Sequence, residues 1–147
     1  MTIGLACSHG GHLTVMLALA GAFENHDVFL VTNRSSRKPR AFKRAYYIHE
    51  IGTNLIALAT SGIWILSILV RERPSLAIST GAEIAIPFLI LSRLLGAKTI
   101  YIESISRSRN LSGTGKLLLG KVSHFVVQSS DLCRTYEGKI EFWGHLL

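Results

Sequence analysis

The sequence predicts an α/β domain in which a parallel sheet is covered by helices on both faces. Three observations predict it. Short apolar runs alternate with longer runs of helical period along almost the whole chain. Most of the short runs are apolar at consecutive positions, as strands buried on both faces require. Polar, glycine-bearing loops separate the runs at the spacing of strand–helix–strand units. Such a doubly wound, Rossmann-like sheet binds ligands beyond the carboxyl ends of its strands.

The elements follow in order. Thr2–Cys7 reads as a buried strand, and Gly11–Phe23 as a helix with Leu13, Met16, Leu17 and Ala20 on one face. Asp27–Thr32 is a second strand, Asn33–Arg44 a basic loop carrying Arg34, Arg37, Lys38, Arg40, Lys43 and Arg44, and Ala45–Ile51 a third strand. Asn54 is placed to cap a helix running to about Val70. Ser75–Ser79 is a strand ending in "STGAE". The helix from Ile84 to Leu95 tolerates Pro87 only because it falls near the first turn. Lys98–Glu103 is a strand, Lys116–Val122 a short helix, His124–Gln128 a strand, Asp131–Thr135 a helical turn and Lys139–Trp143 a last strand. No linker or internal repeat interrupts the series, so residues 1–147 read as one domain.

Composition narrows the function. Hydrophobic residues make up 48% and charged ones 17%, which excludes disorder. The net charge of +7 suits a phosphorylated ligand, an anionic membrane surface or nucleic acid. The basic loop has aromatics only at its far end, Phe42, Tyr46 and Tyr47, so nucleic acid is not expected. Cys7 and Cys133, far apart in sequence, read as reduced thiols. The first strand begins at once, so no signal peptide is expected. The run "LIALATSGIWILSILV", residues 55–70, is shorter than the ~20 residues that span a bilayer. It reads either as a buried helix or as one whose outer face, at Ile63, Trp64 and Ile68, touches a membrane.

The strand ends supply the chemistry: "SHGGH", "STGAE", "ESISRSR" and "QSSD" are all small and polar. Ser8, Gly10, Gly11, Thr80 and Gly81 would let backbone N–H groups approach an anion. Arg107 and Arg109 are placed for phosphate oxygens. Gly113, Thr114 and Lys116 form either a phosphate-contacting turn or a plain helix entry. His12 is a candidate general base, since imidazole transfers protons near neutral pH. Glu103 ends an otherwise apolar strand and is a second candidate for proton transfer.

Several motifs fail. The first loop lacks G-x-G-x-x-G, and "LVTNR" ends the second strand without an acid for a ribose, so no dinucleotide cofactor is expected. "SGTGKL" has Asn110 and Leu117 where a P-loop needs glycine and Ser or Thr. His9 and His12 have no third ligand at metal spacing, so no metal is expected.

The ordered set "SHGGHLTVML", "ISTGAEIAIPF", "YIESISRSRNLSGTGKLL", "FVVQSSDL" and "FWGHLL" covers the chain. It resembles the membrane-anchoring subunit of the two-chain N-acetylglucosaminyltransferase of lipid-linked oligosaccharide synthesis, and its bacterial and archaeal polysaccharide-biosynthesis relatives. More distantly it is similar to the N-terminal half of the peptidoglycan lipid-intermediate glycosyltransferase. The resemblance implies half of a GT-B enzyme, the acceptor side. It would recruit a donor-binding subunit that holds a UDP-sugar, expected to be UDP-N-acetylglucosamine. The acceptor would be a polyprenyl- or dolichyl-diphosphate-linked sugar, lying against the Gly10–Gly11 loop and the Arg107 to Lys116 loop. Transfer would be inverting and free of metal and cofactor, with His12 or Glu103 deprotonating the attacking hydroxyl. The chain would sit peripherally at the cytoplasmic face of the membrane. Eukaryotic members carry an N-terminal transmembrane helix; none is expected here, and attachment would then fall to the apolar helices, the basic loop or the partner. Phe142, Trp143, Leu146 and Leu147, at the point where a GT-B chain crosses to its second half, are the expected partner contacts. Two other readings stand beside this one: a non-catalytic scaffold for the donor subunit, and a stand-alone nucleotide-binding module.

Overall fold

Each apolar run expected to be a strand is one in the computed structural model, which describes residues 1–34, 39–49, 55–136 and 138–146. Arg37, Lys38, Asn54 and Leu147, singled out above, lie outside the described residues. The strands are β1 (Thr2–Cys7), β2 (Asp27–Asn33), β3 (Arg44–Ile48), β4 (Leu76–Ser79), β5 (Lys98–Ile102), β6 (His124–Val127) and β7 (Glu141–Phe142). They form one sheet in the order β3-β2-β1-β4-β5-β6-β7, and every neighbouring pair is parallel. The order reverses at β1 and β4, where a doubly wound sheet opens its ligand crevice.

The helices are α1 (Gly11–Leu19), continued by a 3₁₀ turn at Ala20–Phe23, α2 (Leu55–Glu72), α3 (Ala85–Leu94), α4 (Gly113–Leu118) and α5 (Ser130–Thr135). Alternate strand residues feed two cores. Ala6, Phe29, Val31, Ala77, Tyr101 and Phe125 meet Ile65, Ile68 and Leu69 of α2 together with Phe88 and Leu89 of α3. Leu5, Cys7, Leu30, Ile78, Ile102 and Val126 meet Met16 of α1 and Phe42. Consecutive apolar residues in each strand are therefore needed, because both faces are covered.

Three expectations change. The buried side of α1 is Val15 and Met16, with Leu13 and Ala20 partly covered, while Leu17 faces solvent. In α2 the buried stripe runs through Ser61, Ile65, Ile68 and Leu69 at helical spacing. Ile68, only 4% exposed, thus belongs to the core and does not reach a membrane, whereas Ile63 and Trp64 are 70% and 56% exposed. Arg44 leaves the basic loop: it opens β3 and pairs with Asp27 at 2.6 Å and Glu72 at 2.7 Å. The Tyr46 hydroxyl also donates to Glu72, and this hydrogen bond is the main cause that raises its pKa.

Candidate functional site

The carboxyl ends of β1, β4, β5 and β6 surround a cavity of about 160 Å³ lined by Gly11, His12, Thr14, Val15, Thr80, Glu103, Ser104, Ile105 and Gln128. Four residues expected at the site meet here: Gly11, His12, Thr80 and Glu103.

His12 stands in the first turn of α1, and its Nδ1 donates to the Thr80 carbonyl at 2.7 Å. The Thr80 hydroxyl returns a 2.8 Å hydrogen bond to the His12 carbonyl. The end of β4 is thus stitched to α1 in both directions. Gly81 completes the knot. Its φ is +126°, and a Cβ there would fall 2.5 Å from His12 Cε1. The carbonyl and hydroxyl of Thr80 and the space left by Gly81 are turned toward His12.

Glu103 is 1% exposed and surrounded by donors. The Ser104 N–H donates to Oε1 at 3.0 Å, and the Tyr101 hydroxyl does so at 3.4 Å. Ser112 gives Oε2 its N–H at 3.0 Å and its hydroxyl at 2.9 Å. Burial, and secondarily the Glu103 charge, raise the Tyr101 pKa, so the phenol stays a donor. Gly115 packs on the same carboxylate, since a Cβ there would meet Oε2 at 2.3 Å. A carboxylate with four donors on its two oxygens is an anchor for the 104–112 loop and the start of α4. This geometry separates Glu103 from His12, with which it was paired as a candidate for proton transfer.

The remaining candidates lie around this centre. Ser8 is half-buried with its hydroxyl turned to the His9 carbonyl, and His9 Nε2 donates to the Arg34 carbonyl at 3.1 Å. Gly10 is exposed just before α1. Arg107 and Arg109 are exposed, and no ion pair holds either among the described residues. Gly113, Thr114 and Lys116 fall in α4 itself, which begins at Gly113 and not at Lys116 because Ser112 caps it, accepting from the Gly115 N–H at 2.9 Å.

Gln128 was visible only as part of a polar strand end. It is buried, donates to the Glu103 carbonyl at 3.0 Å and accepts from the Leu146 N–H at 3.1 Å. The tail therefore folds back over the sheet, and Leu146, partly buried, packs on the chain's own second core. Phe142 and Trp143 remain exposed. Glu141 fixes Trp143 through its indole N–H at 2.8 Å while also pairing with His124 at 2.9 Å.

Cys7, beneath the first loop, has its thiol pushed up to about 12 by burial, with a smaller opposing effect from Thr32. It stays protonated and does not supply a nucleophile. Among the described residues no helix is long and apolar enough to cross a membrane.

Known proteins share this fold. The Acinetobacter baumannii MurG structure superposes with a TM-score of 0.73 at 15% identity, over 88% of this chain and 42% of that one. UDP-N-acetylglucosamine 2-epimerase from Rickettsia bellii gives 0.77 at 12%, over 99% and 45%. The chain therefore has the fold of one half of each. The UDP-N-acetylglucosamine transferase subunit ALG14 of Homo sapiens is 27% identical over 170 residues, covering 92% of this chain and 79% of that protein. ALG14 of Candida albicans is 35% identical over 107 residues, covering 69% of this chain and 47% of that protein, so the chain spans about half the Candida relative. The model of the family described as "Oligosaccharide biosynthesis protein Alg14 like" matches residues 31–146, from within β2 to the tail held by Gln128. On that match the chain belongs to the Alg14-like family of oligosaccharide biosynthesis proteins.

Proposed function

We propose that this chain is the acceptor-side subunit of an inverting glycosyltransferase. It transfers N-acetylglucosamine from UDP-N-acetylglucosamine to a polyprenyl- or dolichyl-diphosphate-linked sugar. The observation that carries the reading is the match to two relatives that are each called a UDP-N-acetylglucosamine transferase subunit, on a fold shared with one half of each superposed enzyme. A subunit implies a partner: a second, donor-binding chain joins this one, and the active site lies between them, at the edge where His12 stands.

In this reading the acceptor hydroxyl attacks C1 of the donor sugar. The new C1–O bond forms as the bond from C1 to the UDP phosphate oxygen breaks. The hydroxyl proton passes to His12 Nε2, and UDP leaves with the bonding pair. Arg107, Arg109 and Lys116 are within the loop and helix that flank this edge and supply positive charge for diphosphate groups. Glu103 holds that loop in place. The exposed side of α2 at Ile63 and Trp64 rests on the cytoplasmic membrane surface, and Phe142 and Trp143 meet the donor subunit.

Reconstitution tests the reading. The chain, the donor-binding subunit and both together are given UDP-[¹⁴C]GlcNAc and a short polyprenyl-diphosphate-GlcNAc. Labelled lipid is expected only from the pair. Full turnover by either chain alone, or none by a stable pair, contradicts it.

A further inference from the structure

The "STG" at the end of β4, residues 79–81, contacts β1 and α1, on either side of the first loop, through three consecutive residues. The buried Ser79 hydroxyl donates to the Ala6 carbonyl of β1 at 2.7 Å and accepts from the Gly81 N–H at 3.3 Å. Thr80 then engages His12 twice, and Gly81 leaves the space that the imidazole occupies.

A carbonyl oxygen accepts and never donates, so the ring nitrogen facing the Thr80 carbonyl carries the hydrogen. In the neutral imidazole the other nitrogen is then the one with a free lone pair. His12 Nε2 has no hydrogen-bond partner among the described residues, and His12 is one of the residues that line the cavity. The neutral form with hydrogen on Nδ1 is the opposite of the one that dominates for histidine free in water. The surroundings must therefore impose it.

We propose that Thr80 and Gly81 are positioning residues for His12. They hold its imidazole in the Nδ1-protonated form, with Nε2 kept as an acceptor. This rests on the proposed function for its use in catalysis, because the proton that Nε2 accepts is that of the attacking hydroxyl. The tautomer itself does not depend on that reading.

The complex is assembled with this chain alone labelled with ¹⁵N-histidine, and the His12 ring signals are identified by their loss in His12→Gln. At a pH where the ring is neutral, the wild type is expected to show hydrogen on Nδ1 and an unprotonated Nε2. Thr80→Val removes the hydroxyl that ties β4 to the His12 backbone, and Gly81→Ala displaces the ring. Either is expected to give a mixed tautomer and a kcat lower by roughly 10- to 100-fold, since about 1 Å of misplacement costs up to 10²-fold. Thr80→Ser, which keeps the hydroxyl, is expected to keep both the wild-type spectrum and a near-wild-type kcat. Should Gly81→Ala fail to fold, the Thr80→Val and Thr80→Ser pair and the wild-type spectrum still decide. Hydrogen on Nε2 in the wild type, or an unchanged spectrum and kcat in Thr80→Val, overturns the proposal. If His12→Gln keeps full kcat, the catalytic reading falls, and the spectrum still decides the positioning claim.

Discussion

His12 and Glu103 line the same cavity, and their surroundings ask different things of them. One nitrogen of His12 is held by Thr80 and the other is unpartnered among the described residues, which suits a group that takes up a proton. Both oxygens of Glu103 are engaged by Ser104, Tyr101 and Ser112. Glu103→Gln replaces an acceptor by an amide donor against the Ser112 N–H and hydroxyl. It is expected to cost about 1–3 kcal/mol in urea melts, the penalty for stranding buried donors. In the assembled complex that variant is expected to keep a kcat within about 10-fold of the wild type, where loss of a general base costs roughly 10²–10⁴-fold. A loss of the larger size in a variant that still folds and assembles would return the proton-transfer role to Glu103. Cys7 offers a separate check on burial. Its pKa is raised from 9.0 to about 12 in the folded chain. Above pH 9 the unfolded chain releases a proton that the native chain keeps, so stability falls as pH rises toward 12. The slope from this group is ~1.4 kcal/mol per pH unit. Urea melts between pH 9 and 11 are expected to show a shallower decline in Cys7→Ala than in the wild type.

At the scale of elements, α2 and the tail divide their residues between the chain's own core and the outside. Ile63→Ser and Trp64→Ser are expected to weaken flotation with anionic liposomes while leaving the melt unchanged, because both side chains are mostly exposed. Ile68→Ser should instead cost about 2–5 kcal/mol, as for other truncations of buried aliphatics. Loss of flotation without loss of stability in Ile68→Ser would contradict that division. In the tail, Trp143→Ala is expected to reduce co-purification with the donor subunit, and Leu146→Ala to lower stability, since Leu146 packs on the second core. What the sequence made legible follows this same line. Strands buried on both faces declare themselves through consecutive apolar residues, so all the described strands are legible in the sequence. A helix apolar on nearly every side does not reveal which stripe faces the sheet, so Ile68 was grouped with Ile63 and Trp64. The start of α4 depends on Ser112 capping it while also binding Glu103, nine residues away, and no local pattern reports such a contact. Gln128 was missed as a bridge because its partners, Glu103 and Leu146, lie 25 and 18 residues away.

At the scale of the whole molecule, one feature organises the rest: a Rossmann-like sheet whose crevice opens at the carboxyl ends of β1, β4, β5 and β6. The cavity there holds a base candidate and a loop anchored from below. Arg107, Arg109 and Lys116, in that loop and in α4, make no ion pair among the described residues. In the proposed function a second chain meets this edge and brings the activated sugar. The central claim is that this chain contributes the base and not merely a platform. Turnover of the assembled two-chain complex carrying His12→Ala tests it most directly, with complex formation verified by co-purification. The account predicts an intact complex whose kcat falls by about 10²–10⁴-fold, the usual cost of losing a general base. An intact complex with wild-type kcat would contradict it.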